Sequence, residues 1–369
     1  MSARRVTLVG LLAGGHSGVP RYAACLARAL DNVGHEFPEL RLTLLTTKRG
    51  AEVVGARSIA LRTLALDSAR LNRGPGRIAA EQIAVRGEPA DLLHFFDLTG
   101  PLLAPRRPFV ATAHDLSLLH GFGRVRQAHK RRIIPWAIRR ARAIVAISQF
   151  TKDELVRLLR VDPEKVVVIR SGPGFDDAAS PGAAAVPASP PQTPYVLFVG
   201  NLTESKNLPF LVRAFDRADV PARLLLAGRP LERYGDIVAA IESSPRRRQI
   251  QVLHDATDAD LERLYREARA LVLPSRYEGF GLTALEAMKR GCPVLASDIP
   301  PLREISGDGA ELLPLDDEQA WSDAIRRVFA DDDYRATLRA RAQQAVRRYS
   351  WDRTARELCT LLRDVSLSR

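Results

Sequence analysis

Short apolar stretches alternate with longer helix-forming stretches along the whole chain. Six of the apolar stretches lie in the first half and six in the second, from VTLVGLL near the amino terminus to AELLP at residues 310–314. Such continuous runs are typical of strands that are buried on both faces, as in parallel sheets. The alternation therefore predicts an α/β protein with two doubly wound parallel sheets.

The middle of the chain interrupts this alternation with a stretch rich in proline, alanine and serine. We interpret residues 178–194 as a linker, because this composition disfavours regular structure. The prediction is an N-terminal domain over residues 1–177, a second domain over 195–349, and a C-terminal helix over 350–369 that packs back on the first domain. Ligands of doubly wound sheets bind outside the carboxyl ends of the strands, so we expect the domains to face each other across a cleft.

The most specific pattern follows the fourth apolar stretch of the second half. Residues 274–294 read PSRYEGFGLTALEAMKRGCPV, in which a run of helix formers precedes a glycine and a proline. Helices commonly end at such a glycine, so the helix formers before it are predicted to form one helix. This helix begins at about Gly281. The first turn of a helix carries unpaired amides and a partial positive charge. We therefore expect donors to an anion from the backbone of Phe280, Gly281, Leu282 and Thr283.

Two carboxylates flank this predicted helix start. Glu278 precedes the helix and Glu286 lies in its first or second turn, so both can face one crevice. A carboxylate readily accepts two hydrogen bonds, which suits the vicinal hydroxyls of a hexose or a ribose. The alternative is that Glu286 only pairs with Arg290 on a solvated helix face, which would leave the glycines without a role.

A glycine-containing turn after the first apolar stretch of the second half carries a candidate phosphate-binding cation. Gly200 and Asn201 begin this turn, and Lys206 ends it before a helix that is predicted to start near Pro209. A lysine beside a helix N-terminus is placed to bind a phosphate. The alternative is a solvated surface lysine, which we disfavour because the glutamate segment follows 72 residues later.

The first half carries further candidates at strand ends. Gly15 and Gly18 lie between the first strand and the next helix, where glycine permits a close approach of backbone to ligand. Their spacing departs from the dinucleotide-binding fingerprint, and a mobile loop is the alternative. His114 and Asp115 end the strand PFVATAHD. We interpret His114 as facing the substrate, while Asp115 alternatively caps the next turn.

Positive charge is concentrated in the first half. Residues 1–175 contain 28 Lys and Arg against 14 Asp and Glu, whereas the remainder contains 27 against 29. Over residues 124–142, eight Lys and Arg surround Ile133, Ile134, Trp136 and Ile138. A basic amphipathic segment can lie on an anionic membrane surface; the alternative is an ordinary charged outer face. With 6% aromatic residues and no interleaving of aromatic and basic residues, nucleic-acid binding is not expected.

Length and composition restrict the protein class further. A chain of 369 residues with 46% hydrophobic residues is long enough for two cores. Its three cysteines show no metal or disulfide spacing, which fits a reducing cytoplasm. We interpret the apolar amino terminus as the first strand rather than a secretory signal, and no stretch is long enough to span a bilayer. The acidic residues 331–333 are interpreted as a helix-capping loop rather than a metal site.

Together these motifs resemble glycosyltransferase family 4, whose members are retaining nucleotide-sugar transferases with the two-domain GT-B fold. Glu278 to Glu286 looks like the family's E-x7-E signature, and Gly200 to Asn207 looks like its G-x5-K-N phosphate loop. The likeness covers nearly the whole chain. Further matching segments are the residues from Asp260 to Leu282, CPVLASD from Cys292, Arg303-Glu304 with Gly307, and Tyr349 to Trp351. Segments similar to mannosyltransferase-like members are Gly18 to Tyr22, His114-Asp115 and Ala146 to Leu155.

The resemblance implies a role for each candidate of the second domain. Glu286 is implied to hold the nucleotide ribose, and Glu278 to grip the donor sugar with the amides of residues 280 and 281. The departing diphosphate is implied to be neutralised by Lys206 with the amides of Leu282 and Thr283, which stabilise charge as it develops.

In the first domain, the resemblance implies that His114 meets the donor sugar and that Gly15 or Gly18 approaches the phosphates. It also implies front-face attack, in which the leaving phosphate accepts the proton of the acceptor. On this basis no metal is required, and no cofactor is expected besides the nucleotide-sugar donor.

Several positions depart from the family pattern. Asn201 and Ser205 stand where many relatives carry a basic residue, so Arg229 is a candidate for the missing cation. Thr283 replaces a common proline, a change that the first turn of a helix tolerates. His254 and its neighbour Asp255 replace a glycine-containing stretch near the base pocket, which leaves the nucleotide open.

The leading hypothesis is a cytoplasmic enzyme, peripheral on the inner face of the membrane, that serves glycan biosynthesis. It would transfer a hexose from a nucleotide-diphosphate sugar to a lipid-linked or oligosaccharide acceptor, with a mannose-like donor favoured. An alternative of another class is a GT-B nucleotide-sugar epimerase or isomerase, which would act without an acceptor. A basic nucleic-acid-binding protein is a further alternative, but it leaves Glu278 and Glu286 without a role.

Overall fold

The chain separates into two compact units. The computed structural model describes residues 3–11, 18–64, 82–98, 107–120, 134–136, 138–174, 193–231 and 233–367. One unit consists of Met1–Gly172 with Tyr349–Arg369, and the other of Pro173–Arg348. Most of the proline-rich stretch that we interpret as a linker lies outside the described residues.

The first unit is built on a parallel sheet of seven strands. In chain order these are β1 (Arg4–Val9), β2 (Leu40–Thr47), β3 (Ala60–Leu64), β4 (Leu92–Phe95), β5 (Phe109–Ala113), β6 (Ala143–Ala146) and β7 (Val166–Val168). Their spatial order is β3-β2-β1-β4-β5-β6-β7, with Val9 of β1 opposite Phe95 of β4. The order reverses between β1 and β4, which makes this the switch point of a doubly wound sheet.

The prediction of six strands in the first half was wrong by one edge strand. Four of the five residues of β3 are exposed and the fifth is half-buried. Arg62 and Thr63 separate Leu61 from Leu64, so the strand has no continuous apolar run for a sequence pattern to detect. It forms through backbone pairing with β2, in which Thr46 lies opposite Thr63. Tertiary pairing, rather than burial, defines this strand.

The second unit carries the six parallel strands that the sequence predicts. They are β8 (Tyr195–Val199), β9 (Arg223–Ala227), β10 (Ile250–Leu253), β11 (Ala270–Leu273), β12 (Val294–Ser297) and β13 (Glu311–Leu313). Their spatial order is β10-β9-β8-β11-β12-β13, so this sheet has its switch point between β8 and β11. The predicted α/β fold with two doubly wound, Rossmann-like sheets is confirmed.

Helices connect successive strands in both units. In the first part of the chain, the helices whose bounds fall within the described residues are α1 (Gly18–Val33), α2 (Lys48–Val54) and α3 (Gln149–Leu159). The second unit contains α4 (Leu208–Ala218), α5 (Tyr234–Ser243), α6 (Asp258–Glu267), α7 (Leu282–Lys289), α8 (Pro300–Ser306), α9 (Glu318–Ala330) and α10 (Asp332–Val346). The last helix is α11 (Trp351–Leu367).

The central strands are buried along their whole length because both faces of each sheet are covered. Every residue of β4, β5 and β6 in the first unit and of β8, β11 and β12 in the second is buried. Each large apolar side chain buried in this way contributes about 1.5–3 kcal/mol of hydrophobic stabilisation. These rigid strands fix the loops at their carboxyl ends.

The C-terminal helix α11 belongs to the first unit. The ring of Trp351 packs edge-on against Tyr22 of α1, with centroids 5.4 Å apart. The Arg356 guanidinium donates two hydrogen bonds of 2.8 Å to the Glu36 carboxylate, and Thr354 Oγ1 donates to the backbone oxygen of Arg170 at 2.7 Å. Together these contacts hold α11 on the first unit.

Candidate active site

The switch point of the second unit brings together two predicted site residues that are distant in sequence. Strand β8 leads into the turn that carries Lys206, and β11 leads into the loop that carries Glu278. Since β8 and β11 are neighbours in a parallel sheet, their carboxyl ends lie at the same edge. Strand order therefore places these residues side by side although 72 positions separate them.

Lys206 and Glu278 form a partly buried ion pair. Lys206 Nζ donates to Glu278 Oε1 at 2.6 Å, and Ser275 Oγ donates to the same oxygen at 2.7 Å. The lysine side chain is 20% exposed and the glutamate side chain 12%. Removing one partner of such a pair is costly unless another charge replaces it. A ligand anion that reaches Lys206 supplies that replacement.

The turn that carries Lys206 is tied to the loop that carries Glu278. Residues Glu204–Lys206 form a single 3-10 turn, and the amide of Arg276 donates to the backbone oxygen of Ser205 at 2.8 Å. Asn201 is half-buried near the start of the loop. These backbone contacts thus fix the position of Lys206 relative to the Glu278 carboxylate.

Gly200 packs directly against the loop that follows β9. Its amide donates to the backbone oxygen of Ala227 at 3.0 Å, and the Leu202 amide donates to that of Arg229 at 2.9 Å. A Cβ atom placed on Gly228 would lie 1.7 Å from the backbone oxygen of Gly200. Only glycine fits at position 228, and this close approach holds the start of the predicted phosphate loop.

Helix α7 begins next to Glu278, as the sequence predicts. Gly281 is its N-cap with φ 102°, and no side chain caps the helix there. A Cβ at this position would lie 2.7 Å from Leu302 Cδ2 and 2.8 Å from Ile305 Cδ1, so both conformation and space require glycine. Phe280 is buried, whereas residues 282 and 283 are half-buried. The first-turn amides therefore remain as donors near the protein surface.

Glu286 is fully buried in α7. Its Oε2 accepts a hydrogen bond from the hydroxyl of Tyr265 at 2.8 Å. The Arg290 guanidinium donates to the backbone oxygen of Glu286 at 2.9 Å and pairs with the Glu262 carboxylate at 2.5 Å. The alternative of a solvated Glu286–Arg290 pair was therefore wrong. Tyr265 holds the carboxylate in one orientation, as a binding group requires.

Arg229 lies on the exposed loop after β9. Its Nη2 is 3.4 Å from Asp255 Oδ1, and the two side chains are 53% and 83% exposed. An ion pair this exposed contributes little to stability. A ligand anion can therefore draw the guanidinium away from Asp255 at small cost.

His114 lies at the switch point of the first unit. It follows β5, and its Nε2 is 2.7 Å from the backbone oxygen of Phe96, which follows β4. A carbonyl oxygen only accepts, so Nε2 carries the proton. Burial lowers the pKa of His114, which favours the neutral ring with Nδ1 as an acceptor. The ring of Tyr22 packs edge-on against it, with centroids 4.6 Å apart.

The remaining first-domain candidates are two glycines and Asp115. Gly18 is the first residue of α1 and is exposed, whereas Gly15 lies outside the described residues. Asp115 Oδ1 accepts from the amide and the hydroxyl of Ser117 at 2.9 Å and 2.6 Å. Asp115 thus caps the following turn, as the alternative interpretation of this residue predicts.

A buried polar chain lies beneath His114. His94 of β4 is fully buried, and its Nε2 is 3.0 Å from Thr112 Oγ1; Thr112 in turn hydrogen-bonds the hydroxyl of Tyr22. Among the described residues, His94 Nδ1 has no hydrogen-bond partner. Burial lowers the pKa of His94 to about 3, with a smaller contribution from the neighbouring His114. His94 is therefore neutral in the folded protein.

We expect this neutral histidine to make stability depend on pH. Below about pH 6.5 the unfolded chain binds a proton at His94 that the folded chain does not. The free energy of unfolding should therefore decrease as pH falls below 6.5, by up to about 1.4 kcal/mol per pH unit from this group. Urea unfolding between pH 7.5 and 5 measures the slope.

The matched comparison is between His94→Gln and His35→Gln, since His35 is exposed. In the His94 variant, the slope of the free energy of unfolding against pH should be smaller by the contribution of about one proton. The His35 variant should keep the wild-type slope. Equal slopes in wild type and His94→Gln would show that His94 is not kept neutral by the fold.

Sequence reasoning missed the residues that orient the predicted ones. Ser275 lies three positions before Glu278, and this short spacing was the one indication in the sequence that the two side chains could be in contact. Tyr265 and Thr112 gave none, because each reaches its partner only through strand order or helix packing. The backbone oxygen of Phe96 cannot be identified from a sequence at all.

Only part of the basic segment is described. Trp136 is 46% exposed, and the guanidinium of Arg140 lies 5.2 Å above its ring. Arg139 is also exposed, while Ile138 is buried in the core of the first unit. Grouping Ile138 with the surface of the segment was therefore wrong, and residues 124–133 lie outside the described residues.

Two further features concern ions and membranes. Asp331 Oδ1 accepts from the Tyr334 amide at 2.8 Å, so the acidic loop caps α10 as predicted. In the described part of the chain, no three His, Cys, Asp or Glu side chains cluster as metal ligands would. No described helix has the length and apolar character needed to cross a bilayer.

Two protein-family models match the chain. The model described as Glycosyltransferase Family 4 matches residues 16–173, and the model described as Glycosyl transferases group 1 matches residues 183–345. The first match covers β2 to β7 of the seven-stranded sheet, and the second covers all six strands of the other sheet.

Individual proteins show the same affiliation. O-antigen chain mannosyltransferase B of Escherichia coli is 29% identical over 256 residues, which cover 66% of this chain and 67% of that protein. A D-inositol 3-phosphate glycosyltransferase of Corynebacterium urealyticum is 35% identical over 179 residues, 46% of this chain and only 42% of that protein. The Anabaena HepE structure in complex with UDP-glucose has a TM-score of 0.73 at 20% identity, covering 98% of this chain and 100% of that one.

The structural likeness supports the fold, and the two family models together cover every strand except β1. With two Rossmann-like units of the GT-B type and the glutamate and lysine motifs in place, the chain belongs to glycosyltransferase family 4.

Proposed function

We propose that this protein transfers a hexose, with retention of configuration, from a nucleotide-diphosphate sugar to a lipid-linked or oligosaccharide acceptor in glycan biosynthesis. The observation that carries the proposal is the Lys206–Glu278 ion pair beside the uncapped start of α7. A cation, free amides and a carboxylate at one strand edge suit a diphosphate joined to a sugar. Similarity to the E. coli mannosyltransferase favours a mannose-like donor.

Donor binding begins with an exchange of partners at Lys206. The diphosphate replaces Glu278 as the partner of Lys206 Nζ, and the carboxylate becomes free to accept hydrogen bonds from sugar hydroxyls. Ser275 Oγ keeps Glu278 oriented during the exchange. Glu286, held by Tyr265, is our candidate for the ribose contact, and Arg229 adds positive charge near the phosphates.

The chemical step separates the anomeric carbon from the phosphate oxygen. Negative charge then develops on the departing diphosphate, where Lys206 and the amides of Leu282 and Thr283 stabilise it. The acceptor hydroxyl oxygen bonds to the anomeric carbon on the face that the phosphate leaves, and its proton passes to the departing phosphate oxygen. No side chain has to act as a nucleophile in this scheme.

His114 is our candidate for a contact to the donor sugar from the first domain. Its neutral ring, fixed by the bond to the Phe96 carbonyl, presents Nδ1 as an acceptor for a sugar hydroxyl. Gly15 and Gly18 remain proposed neighbours of the phosphates.

Ligand-induced stabilisation tests the proposal. A panel of GDP and UDP sugars, including GDP-mannose and UDP-glucose, should raise the melting temperature for the true donor. A ligand at a hundred times its Kd stabilises the native state by about 2.7 kcal/mol. Lys206→Gln should abolish the shift, whereas Lys289→Gln, at the other end of α7, should keep it.

Product analysis with the donor so identified then separates the two enzyme classes. A transferase converts the donor to nucleoside diphosphate and glycosylated acceptor, and needs the acceptor for rapid turnover. Conversion to a different nucleotide sugar without an acceptor would instead establish the isomerase. No stabilisation by any sugar nucleotide would reject both.

We also propose that the enzyme works at the cytoplasmic face of a membrane through the basic segment. The exposed indole of Trp136 beneath Arg140 supports this, because such pairs suit the boundary between headgroups and acyl chains. The free cysteines, all buried, fit a reducing compartment.

Sedimentation with anionic vesicles tests the membrane proposal. Each arginine near an anionic surface contributes about 1 kcal/mol of attraction, so changing four to glutamine should weaken binding by at least a hundredfold. The four are Arg131, Arg132, Arg139 and Arg140. The control removes the same charge from the second unit, at Arg217, Arg247, Arg248 and Arg266. Equal loss in both variants would mean that net charge, not this segment, drives binding.

A further inference from the structure

Apart from the site at Lys206 and Glu278, the second unit contains a polar cavity at the start of α4. Its volume is about 150 Å³, enough for a phosphate-sized group with bound water. The charged and polar side chains that line it are Glu204, Asn207, Arg213, Arg233, Asp236 and Arg276. The cavity is thus defined by the turn before α4, the start of α5 and the loop before Glu278.

Asn207 supplies a buried donor without a partner. The residue is 4% exposed, and its Nδ2 has no hydrogen-bond partner among the described residues. An unsatisfied buried donor of this kind costs about 1–3 kcal/mol. Asn207 also adopts the left-handed conformation, φ 54°, and its side chain does not cap α4. The amide is therefore directed to some group other than the helix that it precedes.

The backbone at this position adds positive potential. Helix α4 has 11 residues with proline in its first turn, and the first-turn amides of a helix bear partial positive charge. Phe210 and Pro209 line the cavity together with Asn207. The N-terminus of α4 therefore borders the cavity that Asn207 lines.

Arg276 is the arginine of the cavity lining that no described carboxylate pairs with. Arg213 pairs with Glu318 at 2.6 Å, and Arg233 pairs with both acidic residues of the lining, at 3.1 Å and 2.9 Å. The Arg276 guanidinium is exposed, and no described side chain forms a hydrogen bond or ion pair with it. Of the three arginines in the described lining, Arg213 and Arg233 thus have carboxylate partners, and Arg276 is the one available to an anion.

We propose that this cavity binds a phosphate group. The Arg276 guanidinium, the Asn207 amide and the N-terminus of α4 would donate to its oxygens, which is the arrangement that recognises tetrahedral oxyanions. The site is separate from the Lys206–Glu278 pair, because Asn207 lines the cavity whereas Lys206 does not. It would take inorganic phosphate or the terminal phosphate of a phosphomonoester, and it does not depend on the transfer reaction.

Calorimetric titration of the full chain with inorganic phosphate tests the site. A hydrogen bond to a charged group contributes about 1.5–3 kcal/mol, so Arg276→Gln and Asn207→Asp should each weaken phosphate binding at least tenfold. Arg217→Gln is the matched control, since Arg217 is an exposed arginine of α4 that bonds Gln319 at 2.7 Å instead. Its affinity should match that of the wild type.

Lys206→Gln distinguishes the cavity from the donor site. Phosphate affinity should survive that change; loss in Lys206→Gln with no loss in Arg276→Gln would overturn the proposal. Should Asn207→Asp fail to fold, Arg276→Gln decides alone, because its side chain is exposed and unpaired. Equal phosphate affinity in Arg276→Gln and wild type would also overturn it.

A vesicle arm identifies the source of the phosphate. Binding of inorganic phosphate that depends on Arg276 indicates a soluble anion. Binding only to phosphatidylcholine vesicles that contain phosphatidic acid, again dependent on Arg276, indicates a phosphate carried by a lipid. If neither ligand shows dependence on Arg276, the cavity is not a phosphate site.

Discussion

Replacing Glu278 by glutamine is expected to lower glycosyl transfer by about a hundredfold or more, the usual effect of removing one positioned polar group at a reacting centre. The carboxylate is the shared acceptor of Lys206 Nζ and Ser275 Oγ. Glutamine keeps the shape but removes the charge that pairs with the lysine. It also replaces one acceptor oxygen by a donor, so it offers one acceptor oxygen to the sugar hydroxyls instead of two.

Initial rates at saturating donor measure this effect on kcat, and a denaturation curve confirms that the variant is folded. Glu242→Gln is the matched control, because Glu242 is an exposed glutamate of α5. It should transfer sugar at the wild-type rate. Near wild-type turnover in the Glu278 variant would remove Glu278 from the reaction and return the glutamate segment to a structural role.

The largest expected loss of stability comes from Gly228→Ala. The added methyl would lie 1.7 Å from the backbone oxygen and 2.7 Å from the backbone carbon of Gly200. These are backbone atoms at the end of β8, and the turn that leads to Lys206 follows them. Because no side chain can rotate away, β8 and β9 must separate or the loop must move. We expect a loss of about 3 kcal/mol or more in the free energy of unfolding.

Urea unfolding compares this variant with Gly235→Ala. Gly235 lies in α5, and a Cβ there meets no atom within 4 Å. Alanine in a helix is favoured over glycine by about 0.5–1 kcal/mol, so the control should be as stable as the wild type or slightly more stable. A Gly228 variant of wild-type stability would show that the loops after β8 and β9 are not in contact in solution.

The helix start at Gly281 illustrates what local sequence predicts well. Two glycines, a run of helix formers and a terminal glycine are all local signals, and the structure confirms the helix at Leu282–Lys289. The six strands of the second sheet were likewise predictable, because each contains a short apolar run, and the central ones are buried on both faces.

The side-chain partners were not predictable in the same way. Lys206 was expected to await a phosphate, yet in the protein it is paired with Glu278. Glu286 was expected near Glu278, and its burial and its bond from the Tyr265 hydroxyl were not indicated by the sequence. Both partners come from neighbouring elements of the fold, so their identity depends on how those elements pack.

Edge strands and surface cavities show what the sequence does not predict. Strand β3 has no buried residue, and Arg62 and Thr63 interrupt its apolar residues, so its sequence does not show the continuous apolar run of a buried strand. Asn207 reads as part of a phosphate-loop motif, while its unpaired amide and the cavity around it become visible only once α4 and α5 are in place.

The sequence by itself determined the α/β class, the number of strands in the second sheet, the family and the segments that carry the site, because burial and turn conformation select residue types locally. Tertiary structure decided which of those residues are partners. Strand order joins β8 to β11 and β4 to β5, and that order depends on pairing between backbone groups that are the same in every residue. The ion pair of Lys206 with Glu278 and the bond of His114 to Phe96 therefore had to be seen in the fold.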